Sequence, residues 1–291
     1  MASTQSSLRL WHIAGRTVAF GGRTLIMGVL NVTPDSFSDG GQFFKPELAI
    51  QHAEQLVFEG ADMIDVGGES TRPGAAVVSA GEEIKRVAGV IQELVKRLKV
   101  PVSIDTTKSA VATAALDSGA AIVNDVSALR FDPHIARVVA RTGAGLVLMH
   151  SRGSAENMHN LPPVADIFAE VRNSLTESIS IATAQGVRPA SIVIDPGIGF
   201  GKTQEQNLEL IARLPRLGQM FPDLPILIGT SRKSFIGRIL EGTSPAERLH
   251  GTMASVAAAV LHGAHIVRVH DVKAARETIA VVDEIKRVAS S

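Results

Sequence analysis

Apolar and polar positions alternate along this chain in a repeating block. A short apolar run is followed by a polar residue, and then by a stretch with helical periodicity. The first run, residues 25–30, ends in Asn31. Between runs, residues 82–98 place apolar side chains three or four positions apart, which predicts an amphipathic helix. Each block therefore indicates a buried strand, a polar strand end and a helix.

Eight such blocks follow one another. Strands that alternate with helices predict right-handed parallel crossovers, and eight units predict an α/β fold of the (β/α)₈ TIM-barrel type. A doubly wound open sheet is the alternative. The predicted strands are residues 25–30, 62–66, 102–104, 121–123, 146–149, 192–194, 226–228 and 266–269.

The segment before the first unit has a different pattern. Residues 8–13 and 16–20 flank Ala14-Gly15, which predicts a β-hairpin. We expect this N-terminal hairpin to close the bottom of the barrel. The expected domains are therefore a hairpin extension, residues 1–23, and a barrel, residues 24–291.

Polar residues gather where the predicted strands end. In a TIM barrel all carboxyl ends of the strands meet at one face, where active sites form. Any one of these residues could instead cap a helix, and Arg268 and His270 could form a surface ion pair with Asp271. Taken together, they predict a pocket with donors, acceptors and two candidate anion binders. The main members are Asn31, Asp105, Asn124, Asp195, Arg268 and His270.

The amino-acid composition argues against several classes of function. Hydrophobic residues make up 45% of the 291 residues, enough for a substantial core, and 29 basic residues balance 29 acidic ones. A formal net charge of zero argues against a nucleic-acid-coating protein. The chain has no cysteine, which excludes disulfides, thiolate nucleophiles and zinc–sulfur sites. With no membrane-span or signal pattern, we expect a cytoplasmic protein.

Two further motifs are misleading. Residues 195–203 resemble a phosphate-binding P-loop, but Pro196 stands where that pattern requires glycine. The glycines instead suit a tight loop that runs close to a ligand. The histidines show no ligand-like grouping, so a cation held mainly by substrate oxygens, as Mg²⁺ usually is, fits better.

The strand-end segments together resemble the dihydropteroate synthase family. The likeness runs from about residue 25 to the end of the chain and touches nearly every strand end. It rests on LNVTPDSFSDGG (30–41), DVGGESTRPGA (65–75), SIDTTK (103–108), VNDVSA (123–128), IDPGIGFGK (194–202), GTSRKSFIG (229–237) and RVHDV (268–272).

The resemblance implies a reaction and a set of site residues. In that reaction 4-aminobenzoate displaces diphosphate from 7,8-dihydropterin-6-ylmethyl diphosphate, which gives 7,8-dihydropteroate. The resemblance gives catalytic roles to Asp105, Asp195, Lys233, Arg268 and His270. It assigns the pterin to Asp105, Asn124, Asp195 and Lys233, and the diphosphate to Asn31, Thr71, Arg268 and His270. It assigns 4-aminobenzoate to Phe37, Arg72, Pro73, Phe200 and Ser234, and Mg²⁺ to Asn31.

Two long loops complete these expectations. The connection from Thr33 to Lys45 is longer than most βα loops. With residues 69–74 it is expected to form a lid that excludes water, and Asp35 or Asp39 is expected to assist Mg²⁺.

Other interpretations remain open at this point. A folate-binding barrel of a corrinoid methyltransferase and a pterin-binding barrel without turnover are the alternatives. The apolar segment 247–263 predicts a contact with a second subunit, and the resemblance also implies a homodimer.

Overall fold

The strands form a hairpin and a barrel. The structure, a computed structural model, describes residues 9–33, 46–69, 78–154, 157–158 and 161–289. The strands are β1 (Arg9–Ile13), β2 (Arg16–Phe20), β3 (Leu25–Asn31), β4 (Met63–Gly67), β5 (Val102–Asp105), β6 (Ile122–Asp125), β7 (Gly145–Met149), β8 (Ile192–Asp195), β9 (Leu227–Ile228) and β10 (Ile266–Val269).

Helices follow the strands of the barrel. They are α1 (Pro46–Glu59), α2 (Ala80–Arg97), α3 (Ser109–Asp117), α4 (His134–Thr142), α5 (Ile167–Ala184), α6 (Gln204–Ala212), α7 (Leu214–Met220), α8 (Ser234–Ile239), α9 (Leu249–Leu261) and α10 (Val272–Ala289). The helix predicted at 82–98 corresponds to α2, which Ser79 caps by accepting a hydrogen bond from the Glu82 N–H. No helix in the described ranges is long and apolar enough to span a bilayer.

The eight strands from β3 to β10 form one parallel sheet in the order β8-β7-β6-β5-β4-β3-β10-β9. A bridge between Ile194 and Ile226 joins the two ends of this order, next to a bond from the Ile194 N–H to the Pro225 carbonyl. The sheet is therefore a closed TIM barrel. The predicted barrel is confirmed, and the open-sheet alternative is wrong.

The N-terminal hairpin of β1 and β2 covers the amino end of the barrel, as predicted. Trp11 and Ile13 are buried there, and the Trp11 Nε1–H donates to the Ser191 carbonyl at 2.9 Å. A Cβ added at Gly145 would lie 2.5 Å from Ile13 Cγ2 and 2.8 Å from Trp11 Cζ2. The start of β7 must therefore be glycine for the hairpin to pack.

The inward-facing side chains of several barrel strands change from apolar to polar along the strand. At the hairpin end they are apolar and form one cluster with Trp11 and Phe20. Side chains alternate faces along a strand, so the residue two positions further on also points inward. In four strands this step leads from Met63, Ile122, Val193 and Ile266 to Asp65, Asn124, Asp195 and Arg268. A polar layer therefore lies directly above an apolar floor.

Candidate functional site

Several of the predicted site residues lie level with one another. Asn31 pairs in register with Gly67, Gly67 with Asp105, and Asp105 with Asn124. Gly67 leaves room between its neighbours, since a Cβ added there would be 3.7 Å from Asn31 Oδ1 and 3.8 Å from Asp105 Cβ. The strand ends therefore bring Asn31, Asp105 and Asn124 to one side of the barrel mouth.

A buried network joins this side to β10. Arg268 Nε–H donates to Asp65 Oδ2 at 2.6 Å, and Arg268 Nη2–H donates to Asp105 Oδ2 at 2.7 Å. Asn124 Nδ2–H donates to the same Asp65 oxygen at 2.9 Å. Asp65 therefore fixes a guanidinium group and an amide at once, although its side chain is fully buried.

The charges in this network shift one another's pKa. Burial raises the pKa of Asp105 to about 7, with Asp65 and Glu83 acting in the same direction and Arg268 and Lys233 against it. Burial alone would lower the pKa of Arg268, but Asp65 and Asp105 raise it above its ordinary value. Arg268 is therefore a permanent cation between Asp65 and Asp105, and it favours the ionised form of Asp105.

Asp195 ends β8 on the opposite wall. Its Oδ1 accepts a hydrogen bond from the Gly197 N–H at 2.7 Å. Burial raises the pKa of Asp195 to about 6, against this bond and against Lys233, Lys202 and Arg268. Burial and Arg268 lower the pKa of Lys233 to about 8, whereas Asp195 and Asp105 raise it. Asp195 and Lys233 thus each favour the charged form of the other.

The loop after Asp195 brings an aromatic ring to this lysine. Lys233 Nζ lies 4.0 Å from the centroid of the Phe200 ring, a cation–π contact. A Cβ added at Gly199 would lie 3.2 Å from Lys233 Cδ, so glycine allows the close approach. Ser234 follows at the first residue of α8 and is exposed.

His270 is held beside the arginine. Its Nδ1 lies 3.0 Å from Ser231 Oγ, which also accepts from the His270 backbone N–H at 3.2 Å. Burial, together with Arg268 and Arg232, lowers the pKa of His270 to about 3, so its ring is neutral at physiological pH. Asp271 pairs instead with Arg232, at 2.6 Å. The alternative of a surface ion pair between Asp271 and Arg268 or His270 is therefore wrong.

Six of the predicted site residues are outside the part of the chain that the structure describes. The residues expected to contact 4-aminobenzoate, diphosphate or Mg²⁺ from the two long loops lie outside the described residues: Asp35, Phe37, Asp39, Thr71, Arg72 and Pro73. Asp125 stabilises the turn after β6, since its carboxylate accepts from the Ser127 and Leu129 N–H groups.

Sequence reasoning did not assign Asp65 and Lys202 to the site. Asp65 lies in the middle of a predicted strand, where a charge flanked by apolar residues is itself a signal. Lys202 stands at the end of the glycine-rich segment that resembles a P-loop. Its Nζ donates to backbone carbonyl oxygens of the loop that carries Phe200.

Among the described residues, no cluster of three or more His, Asp or Glu side chains could hold a metal ion. Asn31 offers an amide oxygen near Asp105 at the barrel mouth. Mg²⁺ usually takes one or two protein oxygens, substrate phosphate oxygens and water. The chemistry of Asn31 therefore fits a magnesium ion that arrives with a diphosphate.

The structure is thus a TIM barrel with carboxylates and an amide above its floor and cations at its mouth. The family described as "Pterin binding enzyme" matches residues 27–270. A dihydropteroate synthase from Synechocystis is 47% identical over 268 residues, 92% of each chain.

Solved structures of dihydropteroate synthases are similar to this chain over most of its length. The dihydropteroate synthase of Clostridium difficile, determined in the presence of pteroic acid, is 46% identical with a TM-score of 0.86, over 92% of this chain and 98% of that one. The Xanthomonas albilineans enzyme with 4-aminobenzoic acid is 41% identical with a TM-score of 0.88, over 96% and 99%. The chain belongs to the dihydropteroate synthase family, which confirms the resemblance seen in its motifs.

Proposed function

We propose that this protein joins 4-aminobenzoate to 7,8-dihydropterin-6-ylmethyl diphosphate, as the resemblance of its motifs implies. The amine nitrogen forms a bond to the methylene carbon, the carbon–oxygen bond breaks, and diphosphate leaves with the electron pair. The amine then loses a proton, which gives 7,8-dihydropteroate. The observation that carries the proposal is the placement of acidic and basic groups on inward-facing strand ends of one barrel.

The pterin is proposed to lie on Asp105, Asn124, Asp195 and Lys233. Carboxylate and amide oxygens suit the N–H groups of an aminopyrimidine edge, and Lys233 can donate to the ring carbonyl. The apolar floor beneath, with Ile122 and Val193, suits the face or edge of a flat ring. All four polar residues are anchored on strand ends or at the start of α8.

Positive charge develops on the pterin methylene as diphosphate departs. Asp195 can stabilise this charge because its carboxylate is buried and is fixed by the Gly197 N–H. Since the pKa of Asp195 is raised only to about 6, the group is largely ionised at neutral pH. This role needs the carboxylate, whereas an amide of the same shape would not replace it.

The diphosphate is proposed to bind at the mouth, where Arg268, His270 and Asn31 lie, with Thr71 as a further contact. Arg268 has five N–H donors and uses Nε–H on Asp65 and one Nη2–H on Asp105, so it can bond a phosphate group while it keeps both carboxylate partners. Asn31 would hold Mg²⁺, and the ion when bound would neutralise charge on the diphosphate oxygens. Neutral His270 can donate one hydrogen bond to the leaving group.

The 4-aminobenzoate is proposed to enter beside Phe200 and Ser234, with Phe37, Arg72 and Pro73 as the expected partners from the two long loops. The Phe200 ring supports Lys233 on one face. An anionic carboxylate at this position would face a cation-rich wall. We also propose that 4-aminobenzoate binds tightly only after diphosphate and Mg²⁺ have bound.

The test is product formation. Wild-type protein is mixed with both substrates and Mg²⁺, and mass spectrometry is used to look for dihydropteroate. Arg268→Ala serves as the matched inactive control. A preparation that releases diphosphate without making dihydropteroate, or that makes neither, would overturn the proposal.

The same proposal includes a homodimer and a cytoplasmic location. In α9, Val256 and Val260 are buried within the chain, while Met253 and Ala257 are partly exposed and Leu261 is exposed. These exposed apolar side chains support the proposed contact with a second subunit.

The chain matches dihydropteroate synthases over about nine-tenths of its length. This supports pterinyl transfer over the corrinoid methyltransferase alternative.

A further inference from the structure

The glycine-rich loop after β8 has an unusual local structure. Gly197, Gly199 and Gly201 all have positive φ, at 69°, 85° and 69°. A Cβ added at Gly197 would lie 1.8 Å from the His150 carbonyl oxygen, and one at Gly201 would lie 2.6 Å from the Arg152 carbonyl oxygen. The loop therefore runs tightly against the backbone of the residues that follow β7.

Lys202 supplies hydrogen-bond donors to this crowded region. Its Nζ donates to the Gly197 carbonyl at 2.8 Å, the Phe200 carbonyl at 3.0 Å and the His150 carbonyl at 3.3 Å. Burial lowers the pKa of Lys202 to about 7, but three carbonyl acceptors around Nζ match the three N–H bonds of the ammonium form and favour it. Lys202 thus ties both ends of the loop to the strand beside it.

This arrangement explains the sequence that resembles a P-loop. In a P-loop the lysine reaches outward to phosphate groups. Here the lysine that follows the glycines turns inward to the protein's own backbone. The side chain is then committed to the shape of the loop and not to a nucleotide.

We propose that Lys202 is a positioning residue that holds the loop 197–201 in the shape that places the Phe200 ring against Lys233. The Phe200 carbonyl is one of its three acceptors, and the Phe200 ring is the surface on which Lys233 Nζ rests at 4.0 Å. Asn207 holds the opposite side of the loop, since its Oδ1 accepts from the Gly199 N–H at 2.7 Å. Lys202 and Asn207 together fix the loop from two directions.

The consequence is selective for one substrate. This inference rests on the proposed function, in which Phe200 contacts 4-aminobenzoate and Asp105 and Asn124 hold the pterin from other strands. A loosened loop should therefore harm 4-aminobenzoate binding more than binding of the pterin diphosphate.

The first test compares Lys202→Met with Gln206→Met. Gln206 belongs to the capping box at the start of α6 and bonds to the Val164 carbonyl, without touching the three carbonyls that Lys202 holds. Hydrogen exchange followed by mass spectrometry reports on peptides that cover residues 194–202. We expect roughly tenfold or faster exchange there for Lys202→Met, because bonds to a charged donor are lost, and no such change for Gln206→Met.

Steady-state kinetics gives the second readout. For Lys202→Met the KM for 4-aminobenzoate should rise about tenfold while the KM for the pterin diphosphate changes about threefold or less. Exchange at the wild-type rate, or an equal rise in both KM values, would overturn the proposal. The exchange result does not depend on turnover, so it separates a failure of this inference from a failure of the proposed reaction.

The absence of cysteine from the sequence allows a chemical rescue. Lys202→Cys carries one thiol, and alkylation with 2-bromoethylamine rebuilds a lysine-like side chain with its ammonium group. Alkylation with iodoacetamide gives a neutral side chain as the matched control. We expect protection of the loop and the KM for 4-aminobenzoate to return with the first reagent only. Equal recovery with both reagents would show that bulk matters and the charged donor does not.

Discussion

The two ends of the barrel are built from the same strands and behave in opposite ways. At the hairpin end, Met63 and Ile266 join Trp11 in an apolar cluster. Two residues further along the same strands, Asp65 and Arg268 form a buried ion pair. The change takes place within one repeat of the pleat, which is about 7 Å.

The comparison shows that the hairpin end of the barrel stabilises the fold, whereas the opposite end buries charged groups that the proposed reaction needs. Burying apolar side chains at the hairpin end favours folding directly. Burying carboxylates opposes folding unless cations and hydrogen bonds offset the cost. The raised pKa of Asp105, at about 7, and of Asp195, at about 6, records that cost. We therefore expect substitutions at the two ends to separate stability from turnover.

The largest effect is expected from Arg268→Ala. It removes the cation between Asp65 and Asp105 and leaves two buried carboxylates facing each other. We expect kcat/KM to fall about 10³-fold and the free energy of unfolding to fall by about 3–5 kcal/mol. Steady-state kinetics and urea denaturation would measure both quantities.

Arg268→Lys is the control if the alanine variant does not fold. It keeps the charge but cannot bridge both carboxylates with one planar group, so an intermediate loss is expected. An alanine variant with kcat/KM within a few-fold of wild type would remove Arg268 from the proposed site.

Trp11→Ala tests the opposite end of the barrel. Trp11 is fully buried and donates to the Ser191 carbonyl, so we expect a loss of about 3–5 kcal/mol in the free energy of unfolding. Turnover per folded molecule should stay at the wild-type value, because the site lies at the far ends of the strands. Chemical denaturation and active-site titration are the measurements.

For Trp11→Phe a smaller loss is expected, since most of the buried area is retained. A fall in turnover for either variant under conditions where it is fully folded would contradict the separation of the two ends.

Asp195→Asn should show the reverse behaviour. We expect turnover to fall about 10²-fold or more, because a carboxylate that faces developing positive charge is lost. The melting temperature should stay unchanged or rise, since the amide oxygen can still accept from the Gly197 N–H and no buried charge remains. Circular dichroism and kinetics on one preparation would test this.

Asp125→Asn is the matched control. Its carboxylate is equally buried, but both of its oxygens accept, Oδ1 from the Ser127 N–H and Oδ2 from the Leu129 N–H. An amide has one oxygen and would turn its NH₂ group toward one of these donors, so this variant should melt at a lower temperature. A stable wild-type-like rate for Asp195→Asn would refute its assignment.

The smallest effect concerns acid stability at the hairpin end. Burial lowers the pKa of His265 to about 4, and its Nδ1 accepts from the Ile226 N–H at 3.1 Å. The unfolded chain, with the ordinary histidine pKa of about 6.5, binds the proton first as the pH falls. The stability that neutral His265 provides is therefore present above about pH 6.5 and is lost toward pH 4.

His265→Asn should remove about 1–3 kcal/mol of this pH dependence, measured by denaturation at several pH values. Asp105 and Asp195 act in the opposite direction, because their raised pKa values make falling pH favour the folded state. The difference between wild type and variant isolates the histidine. Identical slopes for both proteins would show that His265 does not contribute.

Much of the fold and of the candidate site could be predicted from local sequence patterns. The apolar runs predicted the eight barrel strands, and the alternation of strand and helix predicted the barrel. The polar residues at strand ends predicted Asn31, Asp105, Asn124 and Asp195 at one face, because parallel strands must place like ends together. The motifs at those ends also identified the family before any fold was known.

The partners of those residues were decided by the tertiary structure alone. Asp65 and Arg268 are 203 positions apart, and Lys202 and His150 are 52 positions apart. No periodicity links such pairs, because their contact depends on how the closed barrel brings distant strands together. The sequence shows that a charge lies within an apolar strand or that a lysine follows glycines. Which group neutralises that charge follows from the pairing of β3 with β10, and which carbonyls that lysine holds follows from the packing of the loop after β8 against the end of β7.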